Sequence, residues 1–78
     1  MARPVLVKWR DAYAIAETWV AKGDKIADPV IVTTVGYIID GPKGYVTLAD
    51  SVYDTADDRF YGGVTVIPAG MVVERRKL

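Results

Sequence analysis

Val64-Thr65-Val66-Ile67, then Pro68-Ala69-Gly70, then Met71-Val72-Val73-Glu74-Arg75 set two β-branched runs on either side of one tight corner. β-branched side chains are stiff at χ1 and suit a pleated surface. Proline followed closely by glycine interrupts both strand and helix. The pattern predicts a fourth strand over residues 64–67, a single 3-10 turn, and a fifth strand over residues 71–75. Strand, corner and strand in this order suit the closing of a small β-barrel.

Upstream, residues 3–9 alternate, with Val5, Val7 and Trp9 on one face and Leu6 and Lys8 on the other, the period of a half-buried strand. After Asp11 the spacing changes to Ala12, Ile15, Ala16, Trp19 and Val20, one helical face, and Gly23 stands where a helix would stop. One short helix or helical loop is therefore expected near the N-terminus. Asp28-Pro29 breaks it. Residues 30–39 are then a long β-branched stretch whose Gly36 would let a barrel strand bend. The turn cluster Asp40-Gly41-Pro42-Lys43-Gly44 leads into a returning strand over residues 45–53, which puts Val46 and Leu48 on one face. Residues 54–63 are polar, then aromatic, then glycine-rich, and read as the longest loop.

With 78 residues the chain is one small domain, residues 1–78, in which each large apolar side chain matters to a limited core. Ten basic and ten acidic side chains cancel, so no global field draws it to nucleic acid or an anionic membrane. Arg75-Arg76-Lys77 is a local excess that reads as a solubilising end. Without cysteine or histidine the chain lacks thiolate metal sites, disulfides and the commonest general base, which argues against an enzyme. No cofactor is implied. No apolar run approaches the length of a membrane span and no secretory leader is evident, so a cytoplasmic location is expected.

The five strands and the corner between the last two predict a mainly β fold, a five-stranded SH3-like or Sm-like barrel. Val7-Lys8-Trp9-Arg10-Asp11-Ala12 followed by Trp19, then Thr34-Val35-Gly36-Tyr37-Ile38, Val46-Thr47-Leu48-Ala49-Asp50-Ser51 and Val66-Ile67-Pro68-Ala69-Gly70-Met71-Val72, taken in order, resemble a family of short bacteriophage-encoded accessory proteins. The resemblance covers nearly the whole chain and implies the same barrel. It also implies a cytoplasmic site of action in the infected bacterium. Some small phage proteins act as sponges for the nucleotide signals of bacterial immunity, and others bind host proteins directly.

A nucleotide offers flat π-faces and phosphates, and its binding needs aromatics, guanidinium groups and exposed backbone amides together. Arg59-Phe60-Tyr61-Gly62-Gly63 supplies all three within one segment. The competing reading has Phe60 or Tyr61 covering the barrel's open end and the glycine pair serving a turn. Ser51 and Tyr53 enter this segment as further candidate contacts. Trp9 is either a packing residue or, with Arg10, part of a pocket shared with a neighbouring copy in a homo-oligomer. Asp11 is a helix N-cap or a reader of ligand N–H groups. Asp54, Asp57 and Asp58 lack the glycine and terminal glutamate of a calcium loop and read as a solvated acidic turn, not a metal site.

The function expected from the sequence is non-enzymatic sequestration of a small nucleotide-type immune signal, such as a cyclic oligonucleotide, which would inhibit host anti-phage defence. The alternative is a protein-binding module that inhibits or adapts a host or phage protein through its sheet edge or aromatic segment.

Overall fold

A computed structural model describes residues 3–11 and 21–78. Five strands follow one another: β1 Val5–Asp11, β2 Val30–Ile39, β3 Tyr45–Asp54, β4 Arg59–Pro68 and β5 Val72–Lys77, with a 3-10 turn, Ala69–Met71, between the last two. All neighbours are antiparallel, and the order across the sheet is β4-β3-β2-β1-β5. The expected corner between β4 and β5 is present, although Met71 belongs to the turn and not to the strand. Pro68 ends β4, an edge strand, where a missing N–H leaves no ladder bond unmade.

The mainly β reading holds, but the sheet is open. Among the described residues β4 and β5 pair only on their inner sides, with β3 and β1, so the closed barrel expected from the sequence is not shown. The helix expected around Ala12 to Val20, and Trp19 with it, lie outside the described residues. Just beyond them Gly23 does turn the chain, with φ of 94°.

β2 is the pivot of the sheet. Its first part, Val30 to Gly36, pairs with Asp11 to Val5 of β1, and its last part, Tyr37 to Ile39, pairs with Ala49 to Thr47 of β3. Gly36 marks the change of partner. A Cβ there would lie 2.7 Å from the Ala49 carbonyl oxygen, so only glycine lets the two backbones come this close.

The core is small and sits where these pairings overlap. Val5, Val7, Leu48 and Ile67 form its buried centre, with Trp9, Ile38, Val46, Met71 and Val72 packed around it. Alternation along each strand brings these side chains to one face, called here the inner face. Trp9 is a packing residue whose indole N–H donates to the Thr34 hydroxyl at 3.0 Å. On the opposite, outer face Thr47 is buried, and its hydroxyl has no hydrogen-bond partner.

Beyond this core the β3–β4 hairpin continues as an arm. From residue 50 to residue 63 every side chain is exposed except Val52, which is half-buried. The radius of gyration is 16.6 Å and the longest dimension 59 Å, against about 11.5 Å for the radius of gyration of a compact chain of this length.

Candidate functional site

Residues 54–63, expected as a long loop, are mostly strand. β3 runs to Asp54 and β4 starts at Arg59, which leaves a four-residue turn, residues 55–58. The turn is tied by its own groups. The Thr55 N–H donates to the Asp58 carbonyl at 2.8 Å, and the Asp58 N–H donates to the Thr55 hydroxyl at 3.0 Å. Two cross-strand pairs extend the ladder outward, Asp54 with Arg59 and Tyr53 with Phe60. The glycine pair misled the sequence reading here. Gly63 is a strand residue with φ of 61°, and Asp50 lies over it where a Cβ would stand, so the glycine gives room and not an end to the strand.

The two faces of the arm carry different chemistry. On the inner side Arg59 Nε donates to Asp54 Oδ1 at 2.6 Å, and Nη2 reaches Asp54 Oδ2 at 3.4 Å. This fork holds the Asp54 carboxyl below the usual carboxylate range and the Arg59 guanidinium above its ordinary value, with Tyr61 adding to the latter. Both partners are solvent-exposed, so the pair is screened and contributes little to global stability. On the outer side the Tyr53 and Phe60 rings stack, 5.0 Å between centroids and 19° between planes.

These contacts settle what the expected ligand residues do in the free chain. Arg59 is engaged by a carboxylate, so a phosphate at this tip would first have to displace Asp54, whereas Phe60 and Tyr53 stack on each other and both remain exposed. Tyr61 stands opposite Val52 and Gly62 opposite Ser51. The Ser51 hydroxyl donates to Asp50 Oδ1 at 2.8 Å. Trp9, Arg10 and Asp11 belong to β1, two strands away in the sheet, where they pair with Val32, Ile31 and Val30. Strand pairing thus gathers Ser51, Tyr53, Arg59, Phe60, Tyr61, Gly62 and Gly63 on one arm and leaves Trp9, Arg10 and Asp11 apart from it. Among the described residues no group of three or more acidic, histidine or cysteine side chains is arranged to hold a metal ion.

A second cluster is basic. Arg3, Arg75 and Lys77 line an open depression of about 590 Å³ together with Val5 and Ile38. The register explains the convergence. Arg75 pairs with Val7 and Lys77 with Val5, so these two cations stand on the inner face, beside the apolar centre of the sheet. Arg76 points the other way and lies 3.9 Å from Glu74. Among the described residues none of the three lining cations has an ion-pair partner. The run Arg75-Arg76-Lys77, read from sequence as a solubilising end, is therefore a strand with two cations aimed over apolar surface. Their spacing by two, opposite an alternating Val5 and Val7, is the signal that could have revealed it.

Among the described residues no helix is long and apolar enough to cross a membrane. The chain matches no family model, no curated protein and no solved structure.

Proposed function

We propose that this chain is a non-enzymatic binding protein that captures a small phosphate-bearing ligand of the nucleotide class. The observation that carries the reading is the convergence of Arg3, Arg75 and Lys77, without ion-pair partners among the described residues, on an apolar floor of Val5 and Ile38. Guanidinium and ammonium groups supply charge-assisted hydrogen bonds to phosphate oxygens, each worth about 1.5–3 kcal/mol. The floor takes the flat face of a base. A volume of about 590 Å³ lies within the roughly 300–1,000 Å³ usual for small-molecule sites. A long polyanion suits the chain less well, because its ten acidic charges cancel its ten basic ones.

The strand order and the 3-10 turn between β4 and β5 support treating the fold as an open relative of SH3-like and Sm-like barrels. With the resemblance of the sequence to phage accessory proteins, the ligand is read as a cyclic oligonucleotide or related immune signal, and the biological role as its sequestration in the infected cell.

Thermal unfolding with cyclic di- and trinucleotides, mononucleotides and inorganic phosphate tests the proposal, since a ligand specific to the native state raises the midpoint by mass action. We expect a rise with one phosphate-bearing compound that is lost in Arg75→Ala and Lys77→Ala but kept in Arg59→Ala. A rise lost only in Arg59→Ala would move the site to the arm. The absence of any rise would overturn the reading in favour of a protein partner, the reading that the exposed arm and the open β4 edge support.

A further inference from the structure

The first and last strands lie side by side, and their register decides where the cations at the two ends of the chain stand. Val7 is opposite Arg75 and Val5 is opposite Lys77. Pairing continues one residue further, because the Leu78 N–H donates to the Pro4 carbonyl at 3.0 Å. Arg3 is the next residue out, on the same face as Val5 and Val7 by alternation, and it lines the same depression.

The three cations therefore form a line with Lys77 in the middle. Arg75 and Lys77 are two residues apart on one strand, about 7 Å between their Cα atoms. Lys77 and Arg3 are diagonal neighbours across the β1–β5 pair, about 7–8 Å apart. From Val7, opposite Arg75, to Arg3 the first strand rises by about 13 Å, which separates the two arginines. Side chains in a strand stand roughly perpendicular to the sheet, so neighbours in this line can share one phosphate, whereas its two ends are too far apart to do so.

Charge leads to the same count. The depression is lined by Arg3, Arg75 and Lys77 and by no acid. Glu74, the acid of β5, lies on the outer face with Arg76. A phosphate monoester carries about −1.5 to −2 at neutral pH, so one such group leaves about one unit of positive charge unanswered and a second answers it. The depression is also far larger than a lone phosphate, at about 590 Å³.

Resting on the phosphate-ligand reading above, we propose that the depression holds two phosphate groups of one ligand, the first between Arg75 and Lys77 and the second between Lys77 and Arg3. The site selects ligands with two phosphate groups, such as a diphosphate or a cyclic dinucleotide, over those with one. Residue type fits position along the line. The flexible Lys77 ammonium, with three rotatable donors, suits the shared place, and the planar guanidinium forks of Arg75 and Arg3 suit the ends, where each meets a single phosphate.

Amide chemical-shift titrations with inorganic pyrophosphate and with inorganic phosphate, at fixed ionic strength, test this. Pyrophosphate is expected to bind at least about 10-fold more tightly, because its second phosphate adds charge-assisted hydrogen bonds, and to shift the β5 and Val5 signals most. Arg3→Gln and Arg75→Gln each remove one end of the line, and in both the preference is expected to fall below about 3-fold while the remaining pair still binds phosphate. Arg76→Gln changes the net charge equally but on the outer face, and is expected to keep the full preference. All three side chains are exposed, so each variant should keep the amide spectrum of the folded chain. Equal affinity for the two anions, no binding of pyrophosphate at millimolar concentration, or an equal loss in Arg76→Gln would each overturn the proposal. The phosphate-ligand reading itself fails separately, when no compound of the nucleotide panel raises the unfolding midpoint. A rise with a single-phosphate mononucleotide alone would leave that reading standing and overturn this one.

Discussion

The base and the tip of the β3–β4 hairpin belong to the same two strands and share one register, from Tyr45 opposite Pro68 to Asp54 opposite Arg59. They differ in what lies over them. At the base Leu48 and Ile67 are buried against Val5 and Val7 of β1. At the tip Asp54 and Arg59 hold each other in water, and Tyr53 stacks on Phe60 with both rings still exposed. Ladder hydrogen bonds are present in both halves, so they cannot be what separates them. Removal of apolar surface from water does that, and it divides one hairpin into a fixed half and an arm.

The sharpest way to break this comparison is to shorten one side chain in each half. Leu48→Ala removes buried methyl groups from a core with few alternatives, and a loss of about 2–5 kcal/mol is expected. That is a large part of the about 4–12 kcal/mol that a chain of 78 residues can be expected to have. Val52→Ala, the arm's one half-buried position, should cost less than about 1 kcal/mol. Urea unfolding of the two variants decides the matter, and equal losses would show that the tip is as firmly packed as the base.

A smaller effect should run in the opposite direction. The Thr47 hydroxyl is buried without a partner, and such a group costs roughly 1–3 kcal/mol. Thr47→Val keeps the shape and removes the burden, so a gain of about 1 kcal/mol is expected from the same unfolding curves. A loss would mean that the hydroxyl is satisfied in solution, by an ordered water for example.

The smallest effect belongs to the tip. Arg59 holds the Asp54 carboxyl below the usual range, so the folded arm favours the ionised form more than the unfolded chain does. The pairing is complete above the ordinary carboxylate range and is lost as pH falls through the lowered Asp54 value. A carbon-detected NMR titration should show the Asp54 midpoint moving up in Arg59→Ala, with the global unfolding midpoint at neutral pH almost unchanged. An unmoved Asp54 midpoint would show that the fork does not persist in solution.

Alternation and corner chemistry made most of the fold legible. Val5 and Val7 fell on the buried face as their period requires, Gly36 stands where β2 changes partner, and Pro68 and Gly70 mark the turn into β5. The extent of the arm was hidden, because Gly62 and Gly63 carry a loop signal and only cross-strand pairing of Tyr53 with Phe60 and Asp54 with Arg59 overrides it. Openness of the sheet is equally hard to read, since closure depends on how strongly the strands coil and not on their order. The basic depression was obscured for a different reason. A run of three cations looks like solvated chain until a partner strand shows which of them share a face with Val5.

The pairing of β1 with both β2 and β5 has a consequence for how the molecule comes into being. Val5 lies beside Gly36 on one edge and beside Lys77 on the other. During synthesis the β2–β3–β4 meander is available early, but the first strand is held on one side only until the last strand has been made. The loop that this final contact closes spans nearly the whole sequence, and such non-local closure is slow, typically on the millisecond-to-second scale. Throughout that interval Val7 and Ile67 lack their full cover. The chain's most vulnerable moment is therefore the wait for β5, and substitutions in Val72 to Lys77 should lower the yield of folded protein more than their share of the finished core suggests.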